Sequence, residues 1–409
     1  MITLTFDIFT IIASAVLLLI GALTPLLNPF FRFRRKIHNE SGQAGEEDDN
    51  LVDDPASTAE REPFPSLSLI LSPYDDAGSL ARNLPSYLAQ DYPSDYQVVV
   101  VIDQGDHDTD GMISELYHQH QQEHPESRAR LYVTYMPKSS RYLSRKKLAI
   151  TLGIKAATSA WILLLETTCR PSSDQWLRVM AQQARGDASL VQGVVKYADE
   201  TPGYRRFERL YMAHYLMRED VKGTAYRSDH GNLMLRKIDF LDHEGFLGNL
   251  HLMRGEYDFL VNDYAEPQRT RLVTDGRAWL IEDEPTDKQW NNRHIFYLET
   301  RKYLQRSGRH RWLYRLDQTM LHLCLLLILA GMVVGALTSN WLLLAAAVLA
   351  LIVTWTLRAL IAGRALSVFG ESMSSFRAVG YELSLVWHSL GYMVRYHMAD
   401  KRDFTTHKL

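Results

Sequence analysis

The sequence predicts an α/β domain, a mostly parallel sheet with helices on both faces, joined to three transmembrane helices and a C-terminal amphipathic helix. Three observations predict it. Strand and helix patterns alternate from residue 66 to 195, three apolar runs carry no charge, and apolar residues repeat at helical spacing near the C-terminus.

In the alternating region, a short apolar run at 67–71 precedes helical spacing at 80–88. Residues 97–102 (QVVVVI) are apolar almost throughout and do not alternate, the pattern of a strand buried on both faces. A helix at 110–123, a strand at 131–135, a helix at 146–157 and a strand at 161–165 follow. A helix at 174–183 and a strand at 189–195 complete the series. Repeated βα units of this length build parallel sheets. Such sheets bind ligands beyond the carboxyl ends of their strands. Chemistry is therefore expected in the segments after Ile102 and Leu165.

Residues 8–27 form an uncharged run long enough to cross a bilayer. Two more runs, 319–338 and 341–357, are separated only by Ser339 and Asn340, a tight hairpin. Cations flank all three on one side: Arg32, Arg34, Arg35 and Lys36; Arg301, Lys302, Arg306, Arg309, Arg311 and Arg315; Arg358 and Arg364. This bias predicts a multi-pass protein of the cell (inner) membrane, N-terminus outside and residues 30–316 cytoplasmic. A cleaved signal peptide would carry its cations before the apolar run, not after it. Residues 39–62 are acidic and poor in apolar side chains, which predicts a flexible tether. The expected organisation is an anchor (1–28), a basic flank and linker (29–63), a cytoplasmic domain (64–316), a helical hairpin (317–360) and an amphipathic helix with tail (361–409).

In that last segment Val379, Leu383, Val386, Trp387, Leu390, Val394 and Met398 share one helical face, with Glu382, Ser384, His388 and Arg395 opposite. With Trp387, Tyr392 and Tyr396 at headgroup level, it reads as an interfacial helix on the cytoplasmic leaflet. Packing against the soluble domain is the alternative.

Composition narrows the function. The net charge of -3 lacks the basic excess of a nucleic-acid binder, so no nucleic-acid partner is expected. Three spans without an intramembrane charge are too few for a pore. Cys169 lies in a soluble segment and Cys324 in an apolar run, which excludes a disulfide and fits a reducing compartment.

Three clusters carry candidate chemistry. Asp103 ends a strand and opens a polar turn, residues 104–110, where its carboxylate suits a ribose or base; a helix cap by Asp108, Thr109 or Asp110 is the bland alternative. Glu166-Thr167-Thr168 ends the strand at 161–165, the place for a metal–diphosphate site, but Thr is a poor ligand for a hard cation. Ser144-Arg145-Lys146-Lys147 opens a helix, and cations beside free helical N–H groups suit a diphosphate; a solvated basic turn is the other reading. His120 and His124 have metal-pair spacing but no third ligand nearby. His230 beside Asp229 is a candidate auxiliary residue, and the Trp-rich stretch 290–312 reads as membrane-proximal packing.

In order along residues 66–301, these runs resemble the family 2 glycosyltransferases of the GT-A fold, in particular a bacterial membrane-anchored branch. Residues 88–103 (LAQDYPSDYQVVVVID) resemble the family's second strand and nucleotide-contacting Asp. Residues 143–157 (LSRKKLAITLGIKAA) resemble its Lys-x-x-Ala helix, with Lys146 at the Lys position. Residues 161–177 (WILLLETTCRPSSDQWL) resemble the strand that ends in Asp-x-Asp. Residues 228–237 (SDHGNLMLRK) and 255–262 (GEYDFLVN) resemble the segment after the sheet and the base-bearing segment. The chain departs from the family in having Glu166-Thr167-Thr168 for Asp-x-Asp and Asp75-Asp76 where Asn-Glu is common. Gln-x-x-Arg-Trp is missing, and residues 289–293 (QWNNR) echo it imperfectly.

The resemblance implies inverting, hexosyltransferase-like transfer from a nucleotide-sugar donor in polysaccharide biosynthesis. Glu256 or Asp258 would be the base, and Asp75, Asp103 and Lys146 would hold the nucleotide. Glu166 would be the surviving ligand for a divalent cation, Mn or Mg, weakened by Thr168 in place of Asp, with Lys146, Lys147 and Arg170 as partial substitutes. The implied partners are membrane lipids and a membrane-associated acceptor, such as a lipid-linked glycan, receiving one or a few sugars. The alternative is a catalytically degenerate glycosyltransferase-fold protein serving as a binding or assembly subunit.

Overall fold

The computed structural model describes residues 7–28, 64–73, 76–138, 143–220, 225–228 and 230–404. The acidic linker, the basic flank at Arg32–Lys36, Asp75 and Asp229 lie outside the described residues. In chain order the elements are α1 (Ile8–Leu23), β1 (Leu67–Leu71), α2 (Ala77–Leu88), β2 (Tyr96–Asp103), α3 (His107–Glu123), β3 (Ala129–Met136), α4 (Arg145–Ala156) and β4 (Trp161–Leu164). Next come β5 (Cys169–Pro171), α5 (Trp176–Gln182), β6 (Leu190–Gly193), β7 (Val195–Tyr197), α6 (Gly203–Asp220), β8 (Leu233–Arg236), α7 (Lys237–Asp242) and α8 (Glu256–Tyr264). The chain continues through β9 (Thr270–Val273), β10 (Leu280–Glu282), α9 (Asp287–Thr300), α10 (Ser307–Leu337), α11 (Trp341–Val368) and α12 (Ser375–Met398). These elements fold into two units, one holding the sheets and one the long apolar helices.

The main sheet has seven strands in the order β3-β2-β1-β4-β8-β6-β9, all parallel except β8. Its central strands are apolar at most positions because both faces are covered. Leu69, Val98, Val100 and Leu163 enter a core with Leu84, Tyr87 and Trp176. Their alternates Ile70, Val99, Ile162 and Leu164 enter a second core with Ile150, Ile154 and Val261. A smaller sheet has the order β5-β10-β7.

The strand expected at 189–195 is two strands in different sheets. Asn232 makes the break. It holds a left-handed conformation at φ 69°, and its side-chain amide donates to the carbonyls of Val194 and Ala278, each at 3.1 Å. Its Oδ1 accepts the Trp176 indole N–H at 3.2 Å. A Cβ on Gly193 would lie 2.1 Å from this amide, so the side chain at 193 must be absent. The cap of α3 also differs from expectation. Asp106, not a residue of 108–110, accepts the Thr109 N–H at 3.1 Å, because the turn after β2 closes two residues sooner.

In the helical unit, residues Ile8–Leu27, Ser307–Leu337 and Trp341–Val368 are each long and apolar enough to cross a membrane. The last two extend past the expected runs, since no Pro or capping signal stops the helix where polarity begins. Asn340 caps α11 through the Leu343 N–H. Small residues bring α1 close to α11: a Cβ on Gly21 would lie 3.0 Å from the Ala350 carbonyl, and the Thr354 hydroxyl donates to the Gly21 carbonyl at 3.0 Å.

Glu382, expected on the polar face of the last helix, is buried instead. It accepts from Arg358 Nη1 at 2.7 Å and from the Asn28 amide at 2.9 Å. Arg358, expected as a flanking cation, is fully enclosed within α11 and also lies 3.5 Å from Asp317, which accepts the Tyr211 hydroxyl at 3.0 Å. Charge pairing outweighs the amphipathic pattern here. Trp387, Leu390, Val394 and Met398 stay exposed on α12.

Two stability outcomes are expected. Asn232→Ala strands buried partners on three sides and should cost about 2–4 kcal/mol, read from unfolding of the purified protein. Arg358→Met leaves two buried carboxylates uncompensated and should cost about 3–5 kcal/mol, with part recovered by Glu382→Met in the same chain.

Candidate active site

Lys146 emerges from the first turn of α4, behind the N-cap Ser144. Glu166 follows the end of β4, and Glu256 opens α8 after Gly255. Gly255 sits at φ 92°, and a Cβ there would meet Phe259 and Thr300 at 2.9 Å, so glycine sets the entry of this helix. The three side chains meet. The Lys146 ammonium pairs with Glu166 and lies 3.2 Å from Glu256. Together with Asp258, Arg227, Arg254, Glu282 and Arg293, they line a cavity of about 540 Å³ beyond the carboxyl ends of the strands.

The two candidate bases differ in their surroundings. Asp258 is bound by Arg227 at 2.9 Å, both buried, and the guanidinium lies 3.8 Å from the Tyr297 ring centre. Glu256 is buried, and its Oε2 has no hydrogen-bond partner among the described residues. Burial pushes its carboxyl up, but Lys146 and Arg254 more than offset this and hold it below the usual range. It is therefore ionised at neutral pH with one oxygen unpartnered among the described residues.

Three successive cations go three ways. Arg145 pairs with Asp103 at the end of β2. Lys146 enters the cavity. Lys147 turns inward, is 1% exposed, and donates to the carbonyls of Asn249 at 2.7 Å and Leu252 at 2.9 Å.

Of the residues expected from sequence, Lys146, Glu166, Glu256 and Asp258 line the cavity. Asp103 stands at the same rim on its arginine but is not part of the lining; Asp75 lies outside the described residues, while its neighbour Asp76 caps α2 and lines the cavity. Sequence reading did not single out Arg227, Arg254, Glu282 or Asp283. Arg254 had one signal, its place just before the acidic segment. The weak echo at 289–293 faces inward: Gln289, Asn292 and Arg293 are lining residues, and Arg293 pairs with Glu282 at 2.7 Å. Tyr392 and Tyr396, expected at headgroup level, have partners on α9. Tyr392 accepts the Trp290 indole N–H at 2.8 Å and stacks on His294, and Tyr396 bonds Glu299, because α9 offers aromatic and charged partners. His120, 2.9 Å from the Ser127 hydroxyl, is a structural histidine.

The donor set does not fit a divalent cation. Glu166 is engaged by the Lys146 ammonium and the Tyr257 hydroxyl, Thr168 stands two residues on, and Asp283 is bracketed by Arg82 and Arg170, each at 2.9 Å. Among the described residues, no three His, Cys, Asp or Glu side chains group to hold a metal.

A largely parallel sheet whose strand ends open on a cavity lined by cations and carboxylates has the layout in which open α/β sheets bind ligands. The family model described as Glycosyl transferase family 21 matches residues 55–387, and the chain belongs to that family. The glycosyltransferase class expected from sequence is thus shown, under the family 21 heading; family 2 is a finer statement than this finding carries. Among solved structures, the chain is similar to a mannosyltransferase, PcManGT from Pyrobaculum calidifontis in complex with GDP-Man and Mn2+: 15% identity over 93% of this chain and 99% of that one, TM-score 0.47. It is also similar to TarS 1-349 of S. aureus in complex with UDP, at 12% identity over 63% and 70%, TM-score 0.40. At these scores family membership rests on the sequence match alone. No curated protein matches the chain.

Lys147 gives a pH signature. Burial lowers its pKa from 10.5 to about 8, with Glu256 acting in the opposite direction. Between these values the unfolded chain holds a proton that the folded chain has released, so stability should rise with pH across that window. Relative to Lys147→Met, the wild type should gain up to about 1.4 kcal/mol per pH unit, read from unfolding midpoints.

Proposed function

We propose that the protein transfers a sugar, with inversion, from a nucleotide-sugar donor to a membrane-associated acceptor such as a lipid-linked glycan. The observation that carries this reading is Glu256: a buried, ionised residue of the cavity lining, with one oxygen unpartnered among the described residues and Lys146 at 3.2 Å. Glu256 accepts the acceptor's hydroxyl proton as that oxygen bonds to the anomeric carbon. The anomeric carbon–diphosphate bond breaks, and the nucleoside diphosphate leaves with the electron pair towards the cations. Asp258 is committed to Arg227, so Glu256 rather than Asp258 is the base. Lys146 holds the diphosphate, Asp103 serves the nucleoside from the rim, and Asp75 is a further nucleoside ligand by its place in the sequence.

The three apolar helices favour anchorage in the cell membrane. The one-sided cationic flanks favour a cytoplasmic domain at 64–316 and an external N-terminus. The family 2-like motifs favour a hexose donor, and the incomplete Gln-x-x-Arg-Trp echo favours one or a few additions over a long polymer.

One observation favours a second reading. The pairing of Glu166 with Lys146, beside Thr168, is also what a degenerate binding or assembly subunit would keep.

Reconstituted full-length protein, offered labelled UDP- and GDP-sugars with membrane lipid extract, should transfer label to lipid. Glu256→Gln should lower turnover by about 10²–10⁴-fold while nucleotide binding persists. Nucleotide binding without any transfer by the wild type would select the subunit reading instead.

A further inference from the structure

Lys147 is a buried ammonium that the transfer chemistry leaves unused. Burying such a charge is costly unless it is well bonded, so its partners matter. Its Nζ donates to two backbone carbonyls, Asn249 and Leu252, and lies 5.0 Å from the Phe259 ring centre and 5.9 Å from that of Phe246. Those carbonyls belong to the segment that runs straight into Arg254, Gly255 and Glu256. Ser144, the cap of the same helix, donates to the carbonyl of Met253 at 2.8 Å and accepts the Lys147 N–H at 3.3 Å. The first turn of α4 therefore presents Lys146 to the cavity with one side chain and grips the base-bearing segment with two others. The base and the cation it faces are set against each other by this grip.

We propose that Lys147 is a positioning residue for transfer, its ammonium fixing residues 249–253 so that Glu256 meets the acceptor hydroxyl at the right place beside Lys146. The proposal rests on Glu256 as base. It assigns Lys147 no contact with nucleotide, since the side chain is enclosed by protein and is not part of the cavity lining. A displaced base costs turnover and leaves donor affinity nearly intact, because alignment matters most as the new bond forms.

The test compares reconstituted wild type with Lys147→Met, whose unbranched side chain keeps the apolar stem. Nucleotide affinity is measured with UDP and GDP, turnover with the labelled sugars above, and order of residues 247–256 by hydrogen–deuterium exchange. Lys147→Met should lower kcat by about 10–100-fold, move nucleotide Kd by less than about threefold, and speed exchange in residues 247–256. Unchanged kcat and exchange would overturn the proposal. So would a parallel loss of kcat and nucleotide affinity, which would make Lys147 a binding group. If Lys147→Met does not fold, Ser144→Ala removes one tie of the same grip and should give a milder fall in kcat with faster exchange; no change in either overturns the proposal. A wild type that transfers nothing would overturn Glu256 as base, and the exchange comparison would still decide whether Lys147 holds the segment.

Discussion

The site depends on one ammonium. Lys146 touches Glu166, which follows β4, and Glu256, which opens α8, so a single charge joins three elements that are far apart in the chain. Without it, the buried Glu256 would lose the largest influence that opposes its desolvation. With it, Glu256 is held below the usual carboxylate range while one of its oxygens keeps no partner among the described residues. The position of Lys146 depends in turn on the sheet, because α4 packs on Ile70 and Val101 across Gly153, where no side chain would fit.

Much of this was legible in the sequence where two constraints agreed. Residues 97–102 read correctly as a doubly covered strand because continuous β-branched side chains are intolerable on a solvated face. Residues 144–147 read as a helix opening because Ser144 is a good cap and the apolar spacing begins after it. The break at Val194 was hidden because its cause, Asn232, lies just before β8, far along the chain, and nothing local distinguishes that run from a straight one. The arginines of the lining were hidden for a similar reason. Arg227, Arg254 and Arg293 come from loops and a helix whose convergence depends on tertiary packing, and arginines are too common on surfaces to signal it alone.

The helical unit shows the limits of periodicity. Glu382 sits on the polar side of its helix by pattern, yet is buried on Arg358 with Asn28 and Asp317 close by. Hydropathy records how a residue behaves alone, whereas an enclosed ion pair is a property of two residues. The acid outnumbers the base here, two carboxylates to one guanidinium, so the tyrosine and amide donors around them are needed to spread the charge.

The last turns of the chain have a consequence for any shortened form of the protein. Tyr392 and Tyr396 brace α9 from behind while Gln289, Asn292 and Arg293 on the same helix face the cavity, and the Phe404 carbonyl accepts the Met253 N–H at 3.1 Å. Trimming the tail would leave the sheet whole but remove the buttress from one wall of the cavity and a peg from the strand of chain that carries the carboxylate. What looks like a dispensable terminus is masonry for the reaction chamber.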